Sequence, residues 1–115
     1  EVILRIEIPL QAGTTSAWEK FAIRQGDFAE ASVAVHVRWA RGRIAAIRLA
    51  VGSVSPFPAR IEAAERLLLG ARATHAKARE AAEVIVHGSL PLSRNAHKAH
   101  LLVNLAERAL RRVLA

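Results

Sequence analysis

His97 and His100 stand three residues apart in a stretch of helical periodicity. That spacing would set two imidazoles on one helix face, as a metal site needs. A third ligand is not in reach, because the chain has no cysteine and the nearest carboxylate in sequence, Glu107, is two turns further on. They read as surface histidines, and His36 as a residue on the polar face of a strand. Glu62 and Glu65, also three apart, read with Arg66 as a solvated helix face. No serine sits in a nucleophile elbow, no Ser/His/Asp set assembles by spacing, and the six glycines are scattered rather than gathered into a phosphate loop. On spacing alone the chain is not a self-sufficient enzyme.

Three segments remain as candidates. One is the turn Arg24-Gln25-Gly26-Asp27 ahead of an alternating strand, where Gly26 permits the turn and Asp27 can bond amides at its exit. Another is the strand-to-helix crossover from Gly52 to Arg60, which holds Pro56 and Pro58. The last is Pro91 to Lys98, ahead of the final helix.

The elements that must position these segments follow from periodicity. Residues 2–8 alternate Val2, Leu4, Ile6 and Ile8 against Ile3, Arg5 and Glu7, which predicts a strand stopped by Pro9. Gln11 to Ser16 reads as a polar loop, and 18–24 as a short strand. Residues 30–39 give the clearest strand, with Val33, Val35, Val37 and Trp39 on one face. Arg41-Gly42 predicts a tight hairpin turn. The return strand, 43–52, would place Ala45, Ile47, Leu49 and Val51 inward. Helical spacing then takes over. Pro58 falls where a first turn would begin, with Ile61, Ala64, Leu67 and Leu68 inward and Gly70 ending the run. Thr74 is placed to cap a second helix, with Ala78, Ala81, Ala82 and Ile85 inward and His87-Gly88 at its close. Ser93 is placed to cap a third, with a stripe of Ala99, Leu102, Val103, Ala106, Ala109, Leu110 and Val113. Strands first and helices afterwards predict an α+β domain: an antiparallel sheet of three or four strands packed against three C-terminal helices.

Length and composition set the bounds. The chain has 115 residues, enough for one domain with one core. Hydrophobic residues make up 52%, which suits a globular protein and argues against disorder. Alanine supplies 24 of them, so the core is thin and a companion surface is expected. The net charge of +7 comes from 14 Arg and 3 Lys spread along the chain. Spread charge suits solvated faces or an acidic partner better than nucleic acid. No stretch approaches a membrane helix and no signal peptide is visible, which points to a cytoplasmic protein. With no methionine even at position 1, the chain is expected to be a piece of a longer polypeptide.

Taken in series, these motifs carry a resemblance. EVILRIEIP, KFAIRQGDFAEASVAV, RIAAIRLAVGSVSPFPARIEAAERLLLG and PLSRNAHKAHLLVNLAERAL resemble the C-terminal domain of the FAD-binding medium subunit of molybdenum hydroxylases. That is the carbon monoxide dehydrogenase and xanthine dehydrogenase family, and the likeness covers nearly all of the chain. Where the family pattern commonly has tyrosine, this sequence has His97.

The resemblance implies an oxidoreductase subunit whose flavin takes electrons from iron–sulfur clusters in a small subunit. Those clusters are reduced by a molybdenum-containing large subunit, and the flavin passes the electrons to NAD⁺ or another acceptor. It implies that FAD is held mainly by N-terminal domains absent from this chain, and that residues 1–115 close over the isoalloxazine side. Alone, the chain is expected to bind FAD weakly or not at all and not to be catalytic. The family's flavin contacts map onto Ile3 and onto Glu19 or Lys20, with Arg24 and Asp27 shaping that edge by pairing with each other or with backbone. A lysine there would stabilise negative charge on the reduced ring. The alternatives are a small basic nucleic-acid-binding module using the last helix, which the few aromatics disfavour, or an assembly module without a flavin role.

Overall fold

Two valine- and isoleucine-rich strands form the centre of a four-stranded antiparallel sheet. The structure, a computed structural model, describes residues 1–115. In chain order it contains β1 (Thr14–Phe21), β2 (Ala31–Ala40), β3 (Arg43–Gly52), β4 (Ala59–Arg60), α1 (Glu62–Leu68), α2 (His75–Val84) and α3 (His97–Leu114). The strands lie in the order β1-β2-β3-β4. The helices cover one face of the sheet, giving the α+β architecture that the order of periodicities predicts.

The β2–β3 hairpin turns at Arg41 and Gly42, both in the left-handed region at φ 51° and 71°. That geometry matches the twist of the strands it joins. Val33, Val35 and Val37 face the helices, as do Ile47, Leu49 and Val51. Ala45 does not take the inward place its parity suggests. The register shifts between Arg38 and Trp39, so that Trp39 pairs with Ile44 while Arg38 pairs with Ala46. This bulge absorbs Ala45 and turns the larger Ile44 into the core, where it is buried.

On the helices, Ala64 and Leu68, then Ala78, Ala81, Ala82 and Ile85, then Leu102, Leu105, Ala106, Ala109, Leu110 and Val113 complete one core. The fully buried alanines of α2 and α3 let the helices approach closely, so the thin side chains still leave a dense interior. Each fully buried Leu, such as Leu68 or Leu110, contributes about 1.5–3 kcal/mol. No helix is long and apolar enough to cross a membrane.

Further expectations change, among them the loop at 11–16 and the strand at 18–24, since Thr14–Ser16 are already strand and residues 22–24 are not. Residues 2–8 form no strand; Val2 to Leu10 are exposed and without regular structure, and the first strand is Thr14–Phe21. Alternation sets the two faces of a strand but supplies no hydrogen-bonding neighbour, and β1 takes the place beside β2 instead. Ala59 and Arg60 are not helical. They pair with Val51 and Ala50, and α1 begins only at Glu62. That two-residue strand, with the Ile61 amide donating to the Leu49 carbonyl, closes part of the outer edge of β3. Ser93 does not cap α3; a series of turns linking Leu92 to Asn95, Asn95 to Lys98 and Ala96 to Ala99 leads into it. Glu65 is not solvated. Its carboxylate is buried, accepts the Leu49 amide at 2.9 Å and pairs with Arg60, while Arg66 pairs with Glu62. Thr74 caps α2 as its sequence suggests, accepting the Lys77 amide at 3.1 Å.

Candidate functional site

The topology gathers the three candidate segments at one end of the molecule. β1 runs into the turn at residues 22–30, and β2 leaves it. β3, antiparallel to β2 with Gly52 opposite Ser32, delivers the crossover at residues 53–58 to the same end. The α2–α3 connection, residues 85–96, closes over that crossover. Lys98, in the first turn of α3, ties all three together. Its Nζ lies 3.3 Å from the Ser53 carbonyl and 3.6 Å from the Glu30 carboxylate.

Glu19 and Lys20 are neighbours on β1 and so point to opposite faces. Glu19 faces α3 and is buried; Arg112 reaches one carboxylate oxygen at 2.7 Å and Arg108 the other at 3.2 Å. Its acceptors are occupied within the domain, and it ties β1 to the last helix. Lys20 is on the open face. Its Nζ donates to the Asp27 carbonyl at 2.9 Å and lies 5.9 Å from the centre of the Trp18 ring, within cation–π range. Arg24 and Asp27 are joined through backbone, the Asp27 amide donating to the Arg24 carbonyl at 3.2 Å. The turn therefore presents the carbonyl that steers Lys20. Ile3 lies on the exposed leading segment.

Lys20 spends one ammonium hydrogen on Asp27 and keeps two. Trp18 is 61% exposed beside it. An open indole face next to an unspent ammonium suits the edge of a planar, electron-accepting ring such as isoalloxazine. The residues thus suit one edge of a flavin ring.

Elsewhere the charges are engaged internally. Glu107 receives Arg79 at 2.7 Å and Arg111 at 2.6 Å. The Arg79 hydrogen bond, with the charge of Arg111, holds its carboxyl below the usual range. For Glu65, burial pushes the carboxyl up, but bonds from Arg60 and the Leu49 amide outweigh it and leave the group below that range. Arg108, Arg111 and Arg112, the basic side of α3, are all held in these pairs. His97 and His100 are exposed near the start of α3, and His36 accepts or donates to Ser16 at 2.8 Å on the open sheet face.

Sequence reasoning did not single out Trp18 as a site residue, nor Phe28, Phe57, Leu90 and Leu92. These last four are large apolar residues inside the connections of one end, and all are exposed; Phe28 reaches 99%. Their occurrence within segments rich in Gly, Pro and Ser was the available signal.

The profile of the CO dehydrogenase flavoprotein C-terminal domain matches residues 16–114. The carbon monoxide dehydrogenase medium chain of Hydrogenophaga pseudoflava is 34% identical over 87 residues, which is 75% of this chain and 30% of that protein. The glyceraldehyde dehydrogenase medium chain of Sulfolobus acidocaldarius is 34% identical over 70 residues, 61% of this chain and 25% of that one. Among solved structures, carbon monoxide dehydrogenase from Hydrogenophaga pseudoflava superposes with a TM-score of 0.83 at 32% identity, over 90% of this chain and 38% of that one. Quinoline 2-oxidoreductase from Pseudomonas putida gives 0.72 at 30% identity, over 93% of this chain and 37% of that one. The chain spans well under half the length of each of these relatives. With one profile running through nearly the whole of the sheet and all three helices, this chain belongs to the CO dehydrogenase flavoprotein C-terminal domain family.

Proposed function

We propose that this chain is the domain that closes the FAD site in the medium subunit of a cytoplasmic molybdenum hydroxylase. Family membership over residues 16–114 carries the reading. The remaining FAD-binding domains and phosphate-binding loops belong to another part of the same subunit. An iron–sulfur small subunit and a molybdenum large subunit are its partners. When bound, FAD supplies reversible electron acceptance between the iron–sulfur clusters and the final acceptor. Lys20, steered by the Asp27 carbonyl, offers its free N–H donors to the ring edge and favours added negative charge there. Trp18 shields the same edge from water, and the Arg24–Asp27 turn fixes the carbonyl that orients Lys20.

The ion pairs count against the nucleic-acid alternative, because the arginines of α3 that it would use are already committed to Glu19 and Glu107. The test is Lys20→Ala in the complete subunit. Weaker flavin retention, or a lower flavin midpoint potential with the fold intact by circular dichroism, is expected. Unchanged flavin content and potential would remove Lys20 from the site.

A further inference from the structure

Glu19 is the only buried residue of β1. That strand lies at the edge of the sheet, bonded to β2 alone, and no large apolar side chain on it is buried. Trp18 is on the open face, and Phe21, at the strand's end, is 45% exposed. An edge strand so weakly held by apolar contact takes its place from polar ties. Toward α3 these are the Thr15 hydroxyl on the Val113 carbonyl, near the start of β1, and Glu19 on Arg108 and Arg112, near its end. Both arginine side chains are about two-thirds exposed, at 69% and 68%, so the pairs add little stability. What they add is direction. Each arginine holds one carboxylate oxygen, which fixes the tilt of the group as well as its place.

Lys20 shares that backbone. Its Cα is about 3.8 Å from that of Glu19, and alternation sends the two side chains to opposite faces. A rotation or slide of β1 at Glu19 therefore displaces Lys20 on the other side. The loop that supplies the Asp27 carbonyl is referred to the same helix. The Glu30 amide closes its base on the Phe21 carbonyl at 2.8 Å, and the Glu30 carboxylate lies 3.6 Å from Lys98. Both partners of the Lys20–Asp27 bond are thus located from α3. We propose that Glu19, clamped by Arg108 and Arg112, is a positioning residue for the flavin edge. It fixes β1 from the helix side and so fixes the Lys20 ammonium on the open side, without touching the flavin itself. This role rests on the assignment of Lys20 to that edge.

The test is a double-mutant cycle in the complete subunit, read as the flavin midpoint potential and as flavin retention on dialysis. Glu19→Gln keeps the side-chain volume but leaves one arginine without its oxygen. It should lower the potential, in the same direction as Lys20→Ala, and weaken retention. In the Lys20→Ala background it should no longer lower the potential. Charge alone predicts the opposite sign, because removing a negative charge favours the more negative reduced ring and raises the potential. A potential raised or unchanged by Glu19→Gln, while Lys20→Ala lowers it, would overturn the positioning role and leave the flavin reading standing. An equal lowering in both backgrounds would also overturn it, as the effect would then not pass through Lys20. No shift on Lys20→Ala would remove the flavin reading and this role together. Arg108→Gln, on an exposed side chain, repeats the cycle from α3, so the outcome does not depend on Glu19→Gln folding. It should lower the potential less in the Lys20→Ala background than in the unaltered one, and an equal lowering counts against the proposal.

Discussion

The two ends of this domain are built differently. At one end, the Arg41-Gly42 turn is as short as a hairpin allows. The α1–α2 connection is stitched to β3 by bonds between Ile44 and both Gly70 and Ala71. The Trp39 indole donates to Thr15 at 2.9 Å, and the Thr15 hydroxyl donates to the Val113 carbonyl at 3.3 Å. At the other end, residues 22–30, 53–58 and 85–96 are longer connections with few internal bonds, and they display Ile23, Phe28, Phe57, Leu90 and Leu92 to water. The first end meets its own hydrogen-bonding and apolar needs. The second carries apolar residues the fold does not use, which is the mark of a surface meant to be covered.

Substitutions should separate the two ends, and the largest effect belongs to the stitched one. Trp39→Ala removes the indole packing and the Thr15 bond, and should destabilise by about 3 kcal/mol in urea titration. A loss as small as that of a surface substitution would show that this end is not self-sufficient. Between the ends, Glu65→Ala orphans the buried Leu49 amide and should cost about 2 kcal/mol by the same measurement.

Acid should act through the same interior carboxylates. Glu65 and Glu107 are held below the usual range in the folded protein, so their contribution is complete above the ordinary glutamate value of about 4.3. It is lost as pH falls through the lower folded values. The urea midpoint should therefore not fall on their account between about pH 7 and 5, and should decline below about pH 4. Glu107→Gln should make that decline shallower. The smallest effect is expected at the open end, where Phe28→Ser should shift stability by less than about 0.5 kcal/mol while leaving the fold unchanged.

The same contrast explains what the sequence discloses. Val33-Val35-Val37 and the α3 stripe are legible because each repeats one period against a single large partner surface. The α2 cap is legible because Thr74 acts on a residue three positions away. Residues 2–8 alternate as cleanly as β2, yet form no strand, because pairing depends on a neighbour that alternation cannot name. Glu65 and Glu19 look like ordinary surface acids, and only the packed positions of Leu49, Arg60, Arg108 and Arg112 reveal them as interior ties. The candidate site is legible as three separate segments. Their meeting at Lys98 is not, since it follows from strand directions and from a helix that returns to the same end.

The bulge at Ala45 makes this hairpin forgiving in one place only. Elsewhere in β3, deleting a single residue would swap inside for outside along everything beyond it. Here the strand already holds a spare, so losing Ala45 would simply straighten the ladder, with Ile44 still opposite Trp39 and Ile47 still opposite Val37. Gene-length variation of one codon is thus tolerable at this position, while the same change a few residues later would turn the sheet inside out.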